Sequence, residues 1–303
     1  MSFFSAGSMT ISLFTTVTVF AWVATLWKGR PVPTASMYFA LGSVALLVIG
    51  GLSGVFTGII PVDWQAHSTY YVVAHIHYVL IGSNLFPVFA GFYYWLPKMT
   101  GRMMNERLGK WSFWVMFIGF NVGFFPMHIV GLLGMPRRVY TYQPGLGWDT
   151  LNLVETIGSY VLALGILTTI VNFFWSRSNG REAGPDPWHG ETLEWATSSP
   201  PEPYNFRVIP AVRSRNPLWD QPTLDGVYNE EHQTIDTSLL DADAQHMLNM
   251  PHDTLWPLAL AVSLAIIFVG LLLQQIAVCW FGGLLSVVSL NGWLWPSPEF
   301  FKE

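Results

Sequence analysis

Two histidines inside an apolar run limit what this chain can be. The stretch YYVVAHIHYVLIG, residues 70–82, carries His75 and His77 within a segment long enough to cross a bilayer. An ionisable side chain at that depth costs several kcal/mol unless a partner compensates it, so it marks a functional site. At 3.6 residues per turn, positions i and i+2 lie roughly 200° apart around a helix. The two imidazoles therefore leave opposite sides of one helix and cannot share one metal ion. One helix with a ligand on each flank predicts two separate cofactors gripped side by side.

Continuous apolar runs predict spans over 9–27, 35–60, 69–96, 111–135 and 151–175. A sixth run, 255–295, has 41 residues and reads as a hairpin turning near Gln274 and Gln275. The expected fold is an all-α membrane protein, a polytopic bundle of about seven spans with a polar extended segment. Continuous apolarity, rather than alternation, favours helices over barrel strands. Only 11% of residues are charged, against roughly 25% in soluble domains. Gly50, Gly51, Gly54 and Gly58 along the second span suit close helix packing. The lone Cys279 excludes an internal disulfide framework and cysteine-based metal sites. Nothing in the chain suggests nucleic-acid binding.

Lys28 and Arg30 in the first loop, and Lys98, Arg102, Arg107 and Lys110 in the third, fall on one side, which the positive-inside rule makes cytoplasmic. Arg137 and Arg138, in GMPRRVY, fall on the other side against that rule. An internal anionic partner explains them better than lipid phosphate, because guanidinium pairs bidentately with carboxylate. The outer side also supplies Asp63 and His67 in VDWQAH. His75 and His77 start about 10 Å below that boundary. Histidines at this depth under guanidinium, carboxyl and imidazole groups suit a planar iron cofactor standing edge-on, with axial imidazole and acidic edges toward the arginines. That cofactor is haem. His128, in FFPMH, reads as a helix contact and not as a metal ligand.

Residues 176–254 hold 13 of the 19 acidic and 5 of the 14 basic residues, with no apolar periodicity. They read as a polar cytoplasmic segment lying against a partner surface, with Trp188, Trp195 and Trp219 as anchors. Disorder over 222–251 is an equal alternative. The organisation expected is a five-span bundle over 1–175, the polar segment 176–254, a transmembrane hairpin over 255–295 and a tail over 296–303.

VVAHIHYVL, GMPRRVY, VDWQAH, FFPMHIVGLLGMP and PDPWHGETLEWATSSPPEPYNF together resemble subunit I of the haem–copper terminal oxidases, in the cytochrome c oxidase branch. The resemblance runs from residue 1 to about 220. The last hairpin is similar to extra helices of some bacterial extended forms. By that resemblance His75 is the axial ligand of a high-spin, oxygen-binding haem, and so the catalytic residue. His77 is then an axial ligand of a low-spin haem. Asp63, Arg137 and Arg138 hold haem propionates, and His67 matches a ligand of a magnesium or manganese site.

The resemblance implies two haems, of a-type, and copper whose ligands lie outside this chain. The chain begins where the family's eighth span would begin, as a fragment, split gene or misplaced start would. Its expected partners are the missing N-terminal half of subunit I, oxidase subunits II and III, cytochrome c and membrane lipid, in a bacterial plasma (inner) membrane. The implied activity is reduction of O2 to water coupled to proton translocation, with the chain alone inactive. Two departures stand out. Thr18 occupies the place of a lysine of a proton channel, and Ser68 follows His67 where the family carries Asp, a better ligand for a hard cation. Alternative readings are a nitric oxide reductase relative, disfavoured by GMPRR and LEWATSSPP, and a degenerate haem-binding protein without turnover.

Overall fold

A computed structural model describes residues 2–202, 206, 210, 212–220, 233–238, 244–249 and 254–295. The expected tail, 296–303, and most of 221–253 lie outside the described residues. Among the described residues six helices are long and apolar enough to cross a membrane, and a shorter apolar helix covers Trp256–Leu272. The fold is an all-α polytopic membrane bundle. It divides into two compact units: 1–201 with 211–225, and 202–210 with 226–303.

In the first unit, helices α1 (Ser2–Leu26) and α2 (Ala35–Gly58) are followed by a short α3 (Ile60–Ala66). One long span then runs from Tyr70 to Thr100. It comprises α4 (Tyr70–His77), a π-helical segment (Tyr78–Leu85) and α5 (Phe86–Thr100). Helices α6 (Glu106–Leu132) and α7 (Asp149–Asn179) complete this bundle. Local chemistry places the ends. Thr34, Thr69 and Asn105 accept backbone N–H bonds from Met37, Tyr71 and Leu108 and so cap α2, α4 and α6. The Glu106 carboxylate accepts from the Ala35 amide at 2.8 Å, joining the starts of α6 and α2.

Side-chain packing then fixes the helices to one another. A cluster of buried rings and aliphatics (Phe39, Tyr78, Phe86, Tyr93, Phe113 and Phe120 among them) joins α2, α5 and α6. Helices α6 and α7 approach through Gly123 and Gly158, where a Cβ on Gly158 would collide with the Gly123 backbone. Beside them runs a buried polar seam. Ser112 bonds the Gly165 carbonyl at 2.8 Å, Tyr93 and Thr169 share a bond at 3.3 Å, and Asn172 donates to Tyr93 Oη and the Asn105 carbonyl. Satisfied hydrogen bonds of this kind join helices where apolar burial gives little net drive.

Two local features differ from the simple span-and-loop reading. The loop between α2 and α4 contains α3, with Pro at its start and Asp63 in its first turn, both favourable at a helix N-terminus. The long span is π-helical directly after His77. There the Ser83 hydroxyl and Asn84 amide both donate to the Val79 carbonyl, and Pro87 has no N–H to return to the ladder.

Part of the polar segment packs on the chain itself. Residues 181–201 fold onto the chain's own α5. Trp188 stacks on Tyr94 at 5.7 Å and donates to its carbonyl, and Trp195 is buried. Buried Lys98 donates to the carbonyls of Pro185 and Thr197 and lies over the Trp195 ring. Trp219 is exposed, its indole N–H bonded to the His189 carbonyl.

In the second unit, strands β1 (Gln233–Thr237) and β2 (Ala244–Asn249) pair antiparallel, with Gln233 opposite Asn249. Helices α8 (Trp256–Leu272) and α9 (Ile276–Leu294) form a hairpin that reverses at Gln274, at φ +55°. Ser263 and Ser286 share a 2.9 Å hydrogen bond across it.

Candidate functional site

Helix α4 is held in register before it presents either imidazole. The Tyr70 amide donates to the Met135 carbonyl at 3.0 Å, and the Arg137 amide donates to the Ser68 carbonyl at 2.9 Å. Thr69 and Pro136 pair as an isolated bridge. These bonds staple the arginine-bearing loop to the start of the histidine helix.

The two imidazoles leave α4 in opposite directions. His75 faces α2. Its Nδ1 lies 2.9 Å from the Gly50 carbonyl and 3.0 Å from Ser53 Oγ. A carbonyl can only accept, so Nδ1 carries the proton and Nε2 keeps a free lone pair. Gly54 gives the ring its room, since a Cβ there would stand 2.6 Å from His75 Cε1. His77 faces α6, stacked on Phe124 with ring centroids 4.4 Å apart and planes 16° from parallel. Its Nδ1 lies 2.7 Å from the Val73 carbonyl one turn back, so its Nε2 is likewise free. A histidine whose other nitrogen is committed to a carbonyl has the arrangement usual for a metal ligand.

His75 lines a cavity of about 780 Å³ between α1, α2, α3 and α4. That volume lies in the range of small-molecule and cofactor sites. Asp63 of α3 and His67, the residue that caps its C-terminal end, line the same cavity, with Oδ1 and Nδ1 3.2 Å from each other. Together they offer two donors to a cation. Among the described residues no three of His, Cys, Asp or Glu come together.

Arg137 and Arg138 do not line the cavity; they sit in the loop stapled to residues 68–70, at the same end of the bundle. Arg138 adopts φ +67°, and no ion pair to either guanidinium occurs among the described residues. Thr18 is not brought to the site. It is exposed, with its hydroxyl bonded to the Phe14 carbonyl on its own helix, whereas Thr15 and Thr16 line the cavity. The expected proton-path role for Thr18 therefore has no support in its position: one helix face is turned to the cavity, and Thr18 lies off it. His128 is buried, edge-on to Tyr71, and bonded through Nδ1 to the Phe125 carbonyl, a helix contact. The sequence reading missed Gly50, Ser53 and Phe124 as the groups that orient the imidazoles. Each is more than twenty positions from its histidine, and no local pattern announces it.

Fold and site thus define a multi-pass membrane protein with two oppositely directed, ligation-ready imidazoles on one helix. Residues 1–161 match the family described as cytochrome c and quinol oxidase polypeptide I, and the chain belongs to that family. It is 41% identical over 273 residues to cytochrome c oxidase subunit 1 of Bacillus subtilis (strain 168), covering 90% of this chain and 42% of that protein. It is also 41% identical over 292 residues to quinol oxidase subunit 1 of the same organism, covering 95% and 43%. Identity to cytochrome c oxidase subunit 1 of Thermostichus vulcanus is 50% over 210 residues, covering 69% and 38%. The chain thus spans about two-fifths of the length of these relatives. In fold it is similar to a chain in a cryo-EM structure of a haem–copper terminal oxidase dimer, with TM-score 0.52 and 18% identity, over 57% of this chain and 36% of that one.

Proposed function

We propose that this chain forms part of the haem-bearing catalytic subunit of a respiratory terminal oxidase that reduces O2 to water with electrons from cytochrome c, coupled to proton translocation. The observation that carries this reading is the pair of imidazoles on α4, each with Nδ1 bonded to a backbone carbonyl and Nε2 free on opposite flanks. His75 would hold the iron of the high-spin haem and His77 that of the low-spin haem, each through Nε2. Neutral imidazole with a fixed tautomer suits both tasks. Asp63, Arg137 and Arg138 would hold the propionates, and His67 with Asp63 would offer ligands to magnesium or manganese. When bound, the haems supply one-electron transfer and the oxygen-reducing chemistry together with copper.

The protein's own part is placement. Gly50 and Ser53 fix the ring angle of His75, Gly54 leaves space for it, and Phe124 fixes the plane of His77. The remaining span-bearing part of subunit I, subunits II and III, cytochrome c and membrane lipid complete the assembly, in the bacterial plasma membrane. The polar segment 176–254 lies on the cytoplasmic side.

The quinol oxidase subunit matched at equal identity supplies a second reading, in which quinol is the electron donor. Oxygen consumption by the purified complex containing this chain, driven by reduced cytochrome c or by a quinol, tests both. The proposal expects turnover with cytochrome c, cyanide-sensitive and abolished by His75→Ala. Turnover with quinol alone selects the second reading, and undiminished turnover in His75→Ala contradicts both.

A further inference from the structure

Glu155 has no part in the site described above, yet it is among the most buried polar residues in the bundle, with 4% of its surface exposed. It lies in the second turn of α7, at the end of the bundle that carries Arg137. Its Oε1 is fully enclosed and has no hydrogen-bond partner, and no ion pair to it occurs among the described residues. Across the helix contact stands Gly123 of α6, which brings only backbone. The titratable residue of that part of α6, His128, turns to Tyr71 and Tyr78. Helix α4 also carries His75 and His77, which turn to Gly50 and Phe124, and the loop before α7 carries Arg137 and Arg138; of the phenols there, Tyr70 lies within electrostatic reach of both Glu155 and Tyr142. Among the described residues neither Arg137, Arg138 nor another cation of these elements forms an ion pair with the carboxyl.

An ionised carboxylate in such a place is uncompensated, and the cost of a lone buried charge is several kcal/mol or more. The neutral acid avoids that cost and can donate a hydrogen bond. Burial arises from the chain's own helices, so neither lipid nor a further subunit is needed to produce it.

We propose that Glu155 is a proton-binding site: a neutral carboxylic acid at neutral pH, holding one exchangeable proton at the junction of α4, α6 and α7. The Tyr70 phenol, within electrostatic reach of Glu155 and of the half-buried Tyr142, is the group through which that proton exchanges with the Arg137 end of the bundle. Release of the proton leaves a carboxylate, and uptake restores the acid, with no bond between heavy atoms made or broken. The site is distinct from the cavity on the far side of α4.

Infrared difference spectroscopy on the assembled membrane complex tests this. Wild type minus Glu155→Gln at neutral pH should show loss of one carboxylic acid C=O stretch that shifts in D2O. Loss of an ionised carboxylate stretch instead overturns the proposal. Glu155→Asp gives the same reading should the glutamine variant fail to assemble: the displaced band falls either in the acid region or, against the proposal, in the carboxylate region. Tyr70→Phe should slow deuterium exchange of the acid band severalfold, and unchanged exchange removes Tyr70 from the path. Haem spectra recorded on the same samples separate these outcomes from any failure of the oxidase reading.

Discussion

The two flanks of α4 use one device with different supports. On the His75 flank the carbonyl that fixes Nδ1 belongs to another helix, Gly50 of α2, and Ser53 and Gly54 of that helix complete the surround. On the His77 flank the carbonyl is Val73 of α4 itself, and the neighbouring helix supplies only the Phe124 ring. The orientation of His75 therefore depends on how α2 packs, whereas that of His77 is nearly built into its own helix. Substitutions on α2 should disturb one cofactor and leave the other in place.

The largest effect expected from this asymmetry comes from Gly54→Val. A side chain there enters the space of the His75 ring, and overpacking costs on the order of 1–3 kcal/mol. Carbon monoxide binding to the high-spin haem should be lost or strongly weakened, with the low-spin bands retained. Equal damage to both haems would mean that α2 supports the whole of α4 and not one flank.

Next in size is the arginine pair. If the pair holds haem propionates as proposed, Arg137→Gln and Arg138→Gln remove positive charge there and should lower a midpoint potential by tens of millivolts. A loss of about 1 kcal/mol on a one-electron couple corresponds to on the order of 40 mV. Redox titration of each variant checks this; midpoints that stay fixed assign the pair to lipid phosphate.

Ser53→Ala removes one of two contacts to His75 Nδ1 and leaves the Gly50 carbonyl. The net worth of such a bond is about 1 kcal/mol, so the iron–imidazole stretch in resonance Raman should shift while turnover changes by less than tenfold. The smallest effect belongs to Thr18→Ala. Both hydroxyls bond a carbonyl one turn back on their own helix, but only Thr15 lines the cavity, so turnover should fall less than in Thr15→Ala. A collapse of turnover in Thr18→Ala, with both haems intact, would show it to be an obligatory relay.

The spans were legible because long apolar runs have few alternatives, and so was the opposed direction of His75 and His77, which follows from helical period alone. The family was legible from motifs around those same residues. What escaped was set by distant contacts or by competition within a turn. Helix α3 is too short to show a period, although Pro61 and Asp63 mark its start. The π-helical segment depends on Ser83 and Asn84 turning back to one carbonyl, a choice their sequence does not force. Trp188 and Trp195 were visible as anchors, but only the fold shows that their surface is α5 of the same chain. Thr18 and Thr15 lie only about 60° apart around α1, and a motif alignment cannot say where the cavity-facing side ends. Glu155 passed as one polar residue in an apolar run until its burial was seen.

The central claim is that α4 grips two different haems, one on each flank. Optical spectra of the assembled complex, reduced with and without carbon monoxide, test it most directly in His75→Ala and His77→Ala. Loss of His77 should remove the low-spin haem bands and spare carbon monoxide binding, whereas loss of His75 should do the reverse. Identical spectra from the two variants would contradict the claim.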